Sequence, residues 1–273
     1  MFSRLVIIGV GLLGGSIGLA ARKRNLADEI IGVGRSERSL ESALRLGVVD
    51  TVYTDLKAIS LDRNGAMIVT VCTPVGAIPE NVLGALDHWK HADDLLVTDV
   101  GSTKATLCHM VDDPRFIGSH PIAGSEQSGP EAARADLFQH RTTILTPTSR
   151  NLTKNVDRLR RFWETVGSIV VEMDADRHDE ILAVTSHLPH LVSVALAATL
   201  RAEERPFGGT GYADMTRLAA GPTEVWRDIF SNNRENVLLA LRRFEKHLSD
   251  LSGFLESNDV EQVGAFLERV RKS

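Results

Sequence analysis

Three stretches carry side chains whose types and spacing suit proton and hydride chemistry. Gly9-Val10-Gly11-Leu12-Leu13-Gly14 is a G-x-G-x-x-G turn that directly follows the apolar run 5–8 and opens a helical pattern. In that setting the first glycine permits a tight turn, the second lets backbone approach a pyrophosphate, and the third lets helix and strand pack closely. The helix N-terminus then offers free N–H groups to the phosphates. Gly9, Gly11, Leu12, Leu13 and Gly14 are thus the expected cradle of a dinucleotide. The second stretch is Asp99-Val100-Gly101-Ser102-Thr103-Lys104, and the third is Gly118-Ser119-His120-Pro121-Ile122-Ala123-Gly124-Ser125-Glu126. Each lies just past a strand-like run, at the sheet edge that bears the glycine turn. His120 can serve there as a proton acceptor near neutral pH. Ser102 can hydrogen-bond that ring or a nicotinamide, and Lys104 reads as a residue of a solvated helix face.

The end of the second strand bears on the choice of cofactor. NAD-binding turns place an acidic residue there for the ribose 2′-hydroxyl. Ile30-Ile31-Gly32-Val33-Gly34-Arg35-Ser36 has none. Gly34 leaves room, and Arg35 and Ser36 can engage a 2′-phosphate through charge-assisted bonds. NADP is therefore favoured over NAD, with Arg35 stacking on an adenine as the alternative. Thr73 and Pro74, past the carboxyl end of the run 66–72, border the same crevice.

The elements that must position these residues change character midway. Apolar runs at 5–8, 30–33, 66–72, 95–98 and 116–118 alternate with helical patterns, as a parallel α/β sheet requires. They are apolar throughout, which fits strands covered on both faces. Further strands at 143–146 and near 168–172 flank a helix over 153–166. Beyond Asp174, a plausible N-cap, helical periodicity takes over at 176–202, 223–256 and 260–270, the last capped by Asn258 or Asp259. The expected fold is α/β: a Rossmann-type dinucleotide-binding domain over 1–172, then an all-α domain over 173–273. A single helix over 223–256 would be about 50 Å long at 1.5 Å per residue. A ~100-residue helical domain cannot cover it, so a second subunit is the expected partner and the protein a homodimer.

Composition narrows the function classes. With 31 basic against 36 acidic residues and no long basic run, nucleic acid and anionic membranes are not expected partners. The stretch 5–21 superficially resembles a leader or anchor, but glycines at 9, 11, 14, 15 and 18 interrupt it. No other segment is expected to reach the ~20 apolar residues of a membrane span. Cys72 and Cys108 form neither a disulfide framework nor a metal-ligand pattern and read as thiols of a cytoplasmic protein. His88, His91, His109, His140, His178 and His247 show no constellation and are expected on the surface or as satisfied histidines.

The glycine turn, D-x-x-S-x-K, G-S-H-P-x-A-G-S-E and Ser186-His187-Leu188-Pro189-His190 together resemble the prephenate and arogenate (cyclohexadienyl) dehydrogenases of tyrosine biosynthesis. Tyr212-Ala213-Asp214-Met215-Thr216-Arg217, followed by Pro222 and Trp226, is similar to that family's D-x-T-R segment. The resemblance runs in order along nearly the whole chain. It implies oxidative decarboxylation of prephenate to 4-hydroxyphenylpyruvate and CO2 with hydride transfer to NAD(P) and no metal, with NADP-dependent oxidation of arogenate to tyrosine as the alternative. It implies that His120 is the general base and that Ser102 orients it and the nicotinamide. Arg217 matches a carboxylate-binding arginine, a role suited to a planar guanidinium. His187 and His190, three apart on one helical face, match substrate-pocket histidines. Ser125 matches a side-chain reader, Glu126 and Asp214 match acidic partners that hold the arginine region, and Trp226 would wall the ring.

Ala213 stands where some members carry a basic residue, which leaves arogenate open. No regulatory or mutase domain follows in this sequence, so tyrosine feedback is expected at the active site itself. A β-hydroxyacid or imine reductase would share the architecture. It would place a lysine or aspartate on the first interdomain helix, where Ser186-His187-Leu188-Pro189-His190 stands. A non-catalytic nicotinamide-binding protein is the third reading, separated from the first by the behaviour of His120.

Overall fold

A computed structural model describes residues 2–60, 65–125 and 127–272. The strands are β1 (Phe2–Ile8), β2 (Ala27–Val33), β3 (Thr51–Tyr53), β4 (Met67–Val71), β5 (Leu95–Asp99), β6 (Gly118–Pro121), β7 (Thr142–Thr146) and β8 (Ile169–Glu172). Between them run α1 (Leu12–Lys23), α2 (Glu37–Arg45), α3 (Ile78–His88), α4 (Ala105–Met110) and α5 (Thr153–Thr165). The helices α6 (Ala175–Leu182), α7 (Leu188–Thr199), α8 (Thr210–Thr216), α9 (Thr223–Asn232), α10 (Arg234–Glu256) and α11 (Val260–Arg271) follow.

Five strands pair in parallel in the order β3-β2-β1-β4-β5. Their apolar runs are continuous because alternate side chains enter two different cores. Leu5, Ile7, Ile30, Ile68 and Leu96 pack with Ile17, Leu40, Phe162 and Trp163. Val6, Ile8, Ile31, Val69 and Val97 pack with Ile78, Val82, Leu86 and Leu107. Helices on both faces thus exclude water from the sheet, as the sequence pattern implied. A smaller sheet, β6-β7-β8, has β6 antiparallel and β8 parallel to β7.

Several expectations change. β3 is absent from the sequence reading because three residues are too short to show a period. The run 116–118 only touches β5, through a Val97–Phe116 bridge, and the strand proper is β6. His120 therefore lies within a strand and not in a loop beyond one. The helix over 223–256 is broken at Asn233, whose backbone (φ −117°, ψ 30°) leaves the helical region. Asparagine competes for backbone hydrogen bonds, and here its buried side chain is engaged elsewhere. The longer piece of that pattern is α10, 23 residues, so the argument from a 50 Å helix does not hold. The pattern over 176–202 contains a π turn at Ala183–His187 and ends at Thr199. The helical run Ala175–Thr199 is long and apolar enough to cross a membrane by length and composition, contrary to expectation. Asp174 and Asp259 do cap their helices, accepting from Asp176 N–H and Gln262 N–H at 2.9 and 3.0 Å.

The chain forms two compact units, Met1–Asp179 with Gly221–Asn232, and Glu180–Ala220 with Asn233–Ser273. The sequence division at 172/173 follows the change in periodicity. The compact units part seven residues later, inside α6, and α9 belongs with the first unit.

Candidate active site

In the first unit the glycine turn is built as its sequence requires. Gly9 has φ +96°, and a Cβ there would sit 2.8 Å from the Cys72 carbonyl carbon and oxygen. A Cβ on Gly14 would meet the Gly9 carbonyl oxygen at 2.2 Å. Gly11, which caps α1, has open space where its Cβ would be. The turn is therefore closed on the protein side and open at the helix N-terminus, the form a pyrophosphate needs. Leu12 and Leu13 begin α1. Thr73, beside the turn, buries its Oγ1 with no hydrogen-bond partner among the described residues, a donor and acceptor left for a bound molecule. Pro74 is exposed and starts a 3₁₀ turn. Burial pushes the neighbouring Cys72 thiol up to about 12, so it is a neutral group. Arg35 is exposed past β2, and Ser36 caps α2 by accepting from Ser39 N–H at 3.3 Å. The residues present fit a nicotinamide dinucleotide.

His120 is buried on β6, and its partner is a residue the sequence reading left aside. Its Nδ1 lies 2.9 Å from His178 Nε2, and His178 Nδ1 lies 2.7 Å from Asp179 Oδ1. Asp179 also accepts from Lys104 N–H at 2.8 Å and Ala105 N–H at 3.0 Å. A carboxylate only accepts, so with both rings neutral the chain has one consistent proton assignment. His178 Nδ1–H donates to Asp179, His120 Nδ1–H donates to His178 Nε2, and the acceptor lone pair of His120 is on Nε2. His178 is thus neither a surface histidine nor an isolated one; it is fully buried. Ser102 is half-buried. Lys104 is also corrected: it is fully buried, and its Nζ donates to buried Asp99 Oδ2. His178 and Asp179 lie 58 and 59 residues beyond His120, on a helix whose period showed only its apolar face. The one available signal was a His-Asp dipeptide just after the Asp174 cap.

In the second unit His187 is buried in the π turn, 3.1 Å from Asn233 Nδ2. Asn233 Oδ1 accepts from Asn236 at 2.9 Å, so Asn233 donates to His187 Nδ1 and the ring proton is on Nε2. Asn233, the helix breaker, went unnoticed in the sequence. His190 is buried on α7; burial holds its pKa below the usual histidine value, opposed by a hydrogen bond with the Leu218 backbone. Ser193 Oγ accepts from Ala219 N–H at 3.0 Å, which ties α7 to the turn Arg217–Ala220. Arg217 heads that turn and Asp214 precedes it on α8, both exposed. Trp226 is half-buried on α9, its ring 5.6 Å from Phe230, and so belongs to the first unit. Ser125 is exposed and accepts from Gln127 N–H at 3.0 Å. Glu126 lies outside the described residues.

Comparison with known proteins gives a consistent result. Residues 17–172 match the family model described as prephenate dehydrogenase, nucleotide-binding domain, and 174–269 match prephenate dehydrogenase, dimerization domain. The chain is similar to the prephenate dehydrogenase of Bacillus subtilis (strain 168), with 31% identity over 99% of this chain and 75% of the relative. It is similar in structure to prephenate dehydrogenase from Aquifex aeolicus in complex with hydroxyphenyl propionate and NAD+. The TM-score is 0.91 and the identity 33%, over 99% of this chain and 96% of that one. Synechocystis arogenate dehydrogenase is similar at a TM-score of 0.81 and 26% identity, over 97% and 96%.

Proposed function

Because the chain belongs to the prephenate dehydrogenase family, we propose that it oxidises prephenate to 4-hydroxyphenylpyruvate and CO2 in tyrosine biosynthesis, with NADP favoured over NAD. The observation that carries this reading is the buried His120–His178–Asp179 chain in a nucleotide-binding domain. The nicotinamide, when bound, supplies the acceptor for the hydride leaving C4 of the substrate ring. His120 Nε2 takes the C4 hydroxyl proton as the carbonyl forms. The Asp179 carboxylate, two hydrogen bonds away, stabilises the resulting imidazolium. Loss of the ring carboxylate as CO2 aromatises the ring and makes the reaction irreversible.

The remaining roles follow from side-chain chemistry and the resemblance. Gly9, Gly11, Leu12, Leu13 and Gly14 hold the pyrophosphate, and Thr73, Pro74 and Ser102 line the cofactor. Arg35 and Ser36 read the 2′-phosphate. Arg217 binds a substrate carboxylate, His187 donates from Nε2, and His190, Ser125 and Trp226 border the substrate. Glu126 and Asp214 hold the arginine region. The domain division at 172/173 is supported by family models that end at 172 and begin at 174. A homodimer is supported by the dimerization-domain match and by exposed Leu239, Leu248, Leu255, Val260 and Leu267 on α10 and α11. We assign the enzyme to the cytoplasm. The second substrate reading, arogenate to tyrosine, is favoured by Ala213, which supplies no charge where some members are basic.

One assay tests the reading: purified protein with prephenate or arogenate, each crossed with NAD and NADP, followed by reduced-nicotinamide absorbance. Turnover of neither substrate sinks it, and equal efficiency with both cofactors removes the role of Arg35. In the same assay His120→Asn is expected to keep cofactor affinity and lose about 10²–10⁴-fold in kcat.

A further inference from the structure

We propose that Lys104 is a positioning residue: its buried pairing with Asp99 sets the contact between His120 and His178. This rests on the reading of His120 as the base. Lys104 acts at both ends of that contact. Through its side chain it holds Asp99 Oδ2, which also accepts from Gly101 N–H at 2.8 Å. Asp99 in turn fixes Ser119, the residue before His120. The Ser119 N–H donates to Asp99 Oδ1 at 3.2 Å, and the Ser119 hydroxyl donates to the Asp99 carbonyl at 2.5 Å. Through its own backbone N–H, Lys104 holds Asp179, the residue after His178. One fully buried ion pair therefore connects the two residues adjoining the ring pair.

The surroundings are shaped for this lysine. A Cβ on Gly118 would crowd Thr146 Oγ1 and Cys108 Sγ as well as Lys104 Cδ at 3.2 Å, and one on Gly101 would crowd Ile78 Cδ1 and Asp99 Oδ2 as well as Lys104 Nζ at 3.3 Å. Glycine at both positions leaves the channel through which the side chain passes. Stability alone does not call for the pair, because a buried ion pair is often no better than apolar side chains of the same volume. What apolar side chains cannot do is accept from the Ser119 and Gly101 N–H groups at once. A proton transfer is sensitive to the positions these bonds set, since a displacement of about 1 Å can cost about 100-fold in rate.

The test is the double variant Asp99→Asn/Lys104→Met, which removes both charges and leaves neither unpaired. We expect a folded protein with Michaelis constants within about threefold and kcat lowered about 10–100-fold. The solvent deuterium isotope effect on kcat should grow as proton removal becomes limiting. A folded double variant with unchanged kcat and isotope effect overturns the proposal. Should it not fold, Ser119→Ala removes the bond to the Asp99 carbonyl without altering charge, and Asp99→Asn alone weakens the bond from Ser119 N–H; unchanged kcat and isotope effect in both overturn it equally. His120→Asn runs alongside: if it keeps full turnover, the base assignment has failed, whatever Lys104 does.

Discussion

The two compact units hold their polar side chains in different ways. In the first, His120, His178, Asp179, Asp99, Lys104 and Ser119 are all buried, and most of their hydrogen bonds run between elements far apart in sequence. In the second, His187 and His190 are buried, but Arg217 and Asp214 are exposed on one short helix and the turn after it. The difference matches what each proposed task demands. A proton acceptor works only in one tautomer and at one position, so it needs several independent constraints. A guanidinium on a long side chain reads a carboxylate by charge and can adapt its reach. Damage to the buried network of the first unit should therefore appear in kcat, and damage to Arg217 in the second in the substrate KM.

The sharpest way to break that comparison is Asp179→Asn. The carboxylate accepts from two backbone N–H groups and from His178. An amide must turn its NH2 toward one of these donors. Turned to the ring, it moves the His178 proton to Nε2, which then donates to His120 Nδ1 and forces the His120 proton onto Nε2. That is the wrong tautomer for a base. We expect kcat to fall about 10²–10³-fold, with KM for both substrates within about threefold. A fall confined to KM would mean that Asp179 orders the site without setting the tautomer.

Arg217→Gln is the complementary test and the next largest effect. Losing one or two charge-assisted bonds worth about 1.5–3 kcal/mol should raise the substrate KM about 10–100-fold. kcat should change less than about fivefold, and cofactor affinity should not change. Steady-state kinetics with the substrate varied at saturating cofactor would show this. A variant that loses kcat as severely as Asp179→Asn would erase the distinction between the units.

The same contrast explains what could be read from the sequence. The glycine turn was legible because it is local: Gly9, Gly11 and Gly14 lie within six residues, Gly9 held to glycine by its positive φ and Gly14 by the Gly9 carbonyl. The parallel strands were legible because burial on both faces leaves continuous apolar runs. The relay was not, because it joins β6 to α6 across 58 residues and uses residue types that helix surfaces also carry. Lys104 shows the limit well. Its type and place on the chain indicate a solvated face, and only the tertiary position of Asp99 makes burial tolerable. Asn233 failed differently. The apolar period continues through it and implies a 34-residue helix, whereas the backbone leaves the helical region where the Asn233 side chain bonds His187.

His190 provides the smallest and most local test of the second unit. Burial lowers its pKa, so at neutral pH the ring is neutral, and on the proposed function the positive charge for a substrate carboxylate comes from Arg217. The linkage has a definite sign. Between the lowered native value and the ordinary histidine value near 6.5, the unfolded chain binds more protons than the native one. The stability from a neutral His190 is therefore fully present above about pH 6.5 and is lost as pH falls toward the native value. His190→Gln removes the titration while keeping a hydrogen-bonding side chain. Measured as Tm from about pH 7.5 to 5.5, the original protein should lose a few degrees more than the variant, since about 1 kcal/mol corresponds to only ~2–4 °C at this size. Parallel curves would mean that the ring already protonates in the native state. The second unit would then carry a second positive charge into substrate binding, and KM would rise with pH in the original protein but not in His190→Gln.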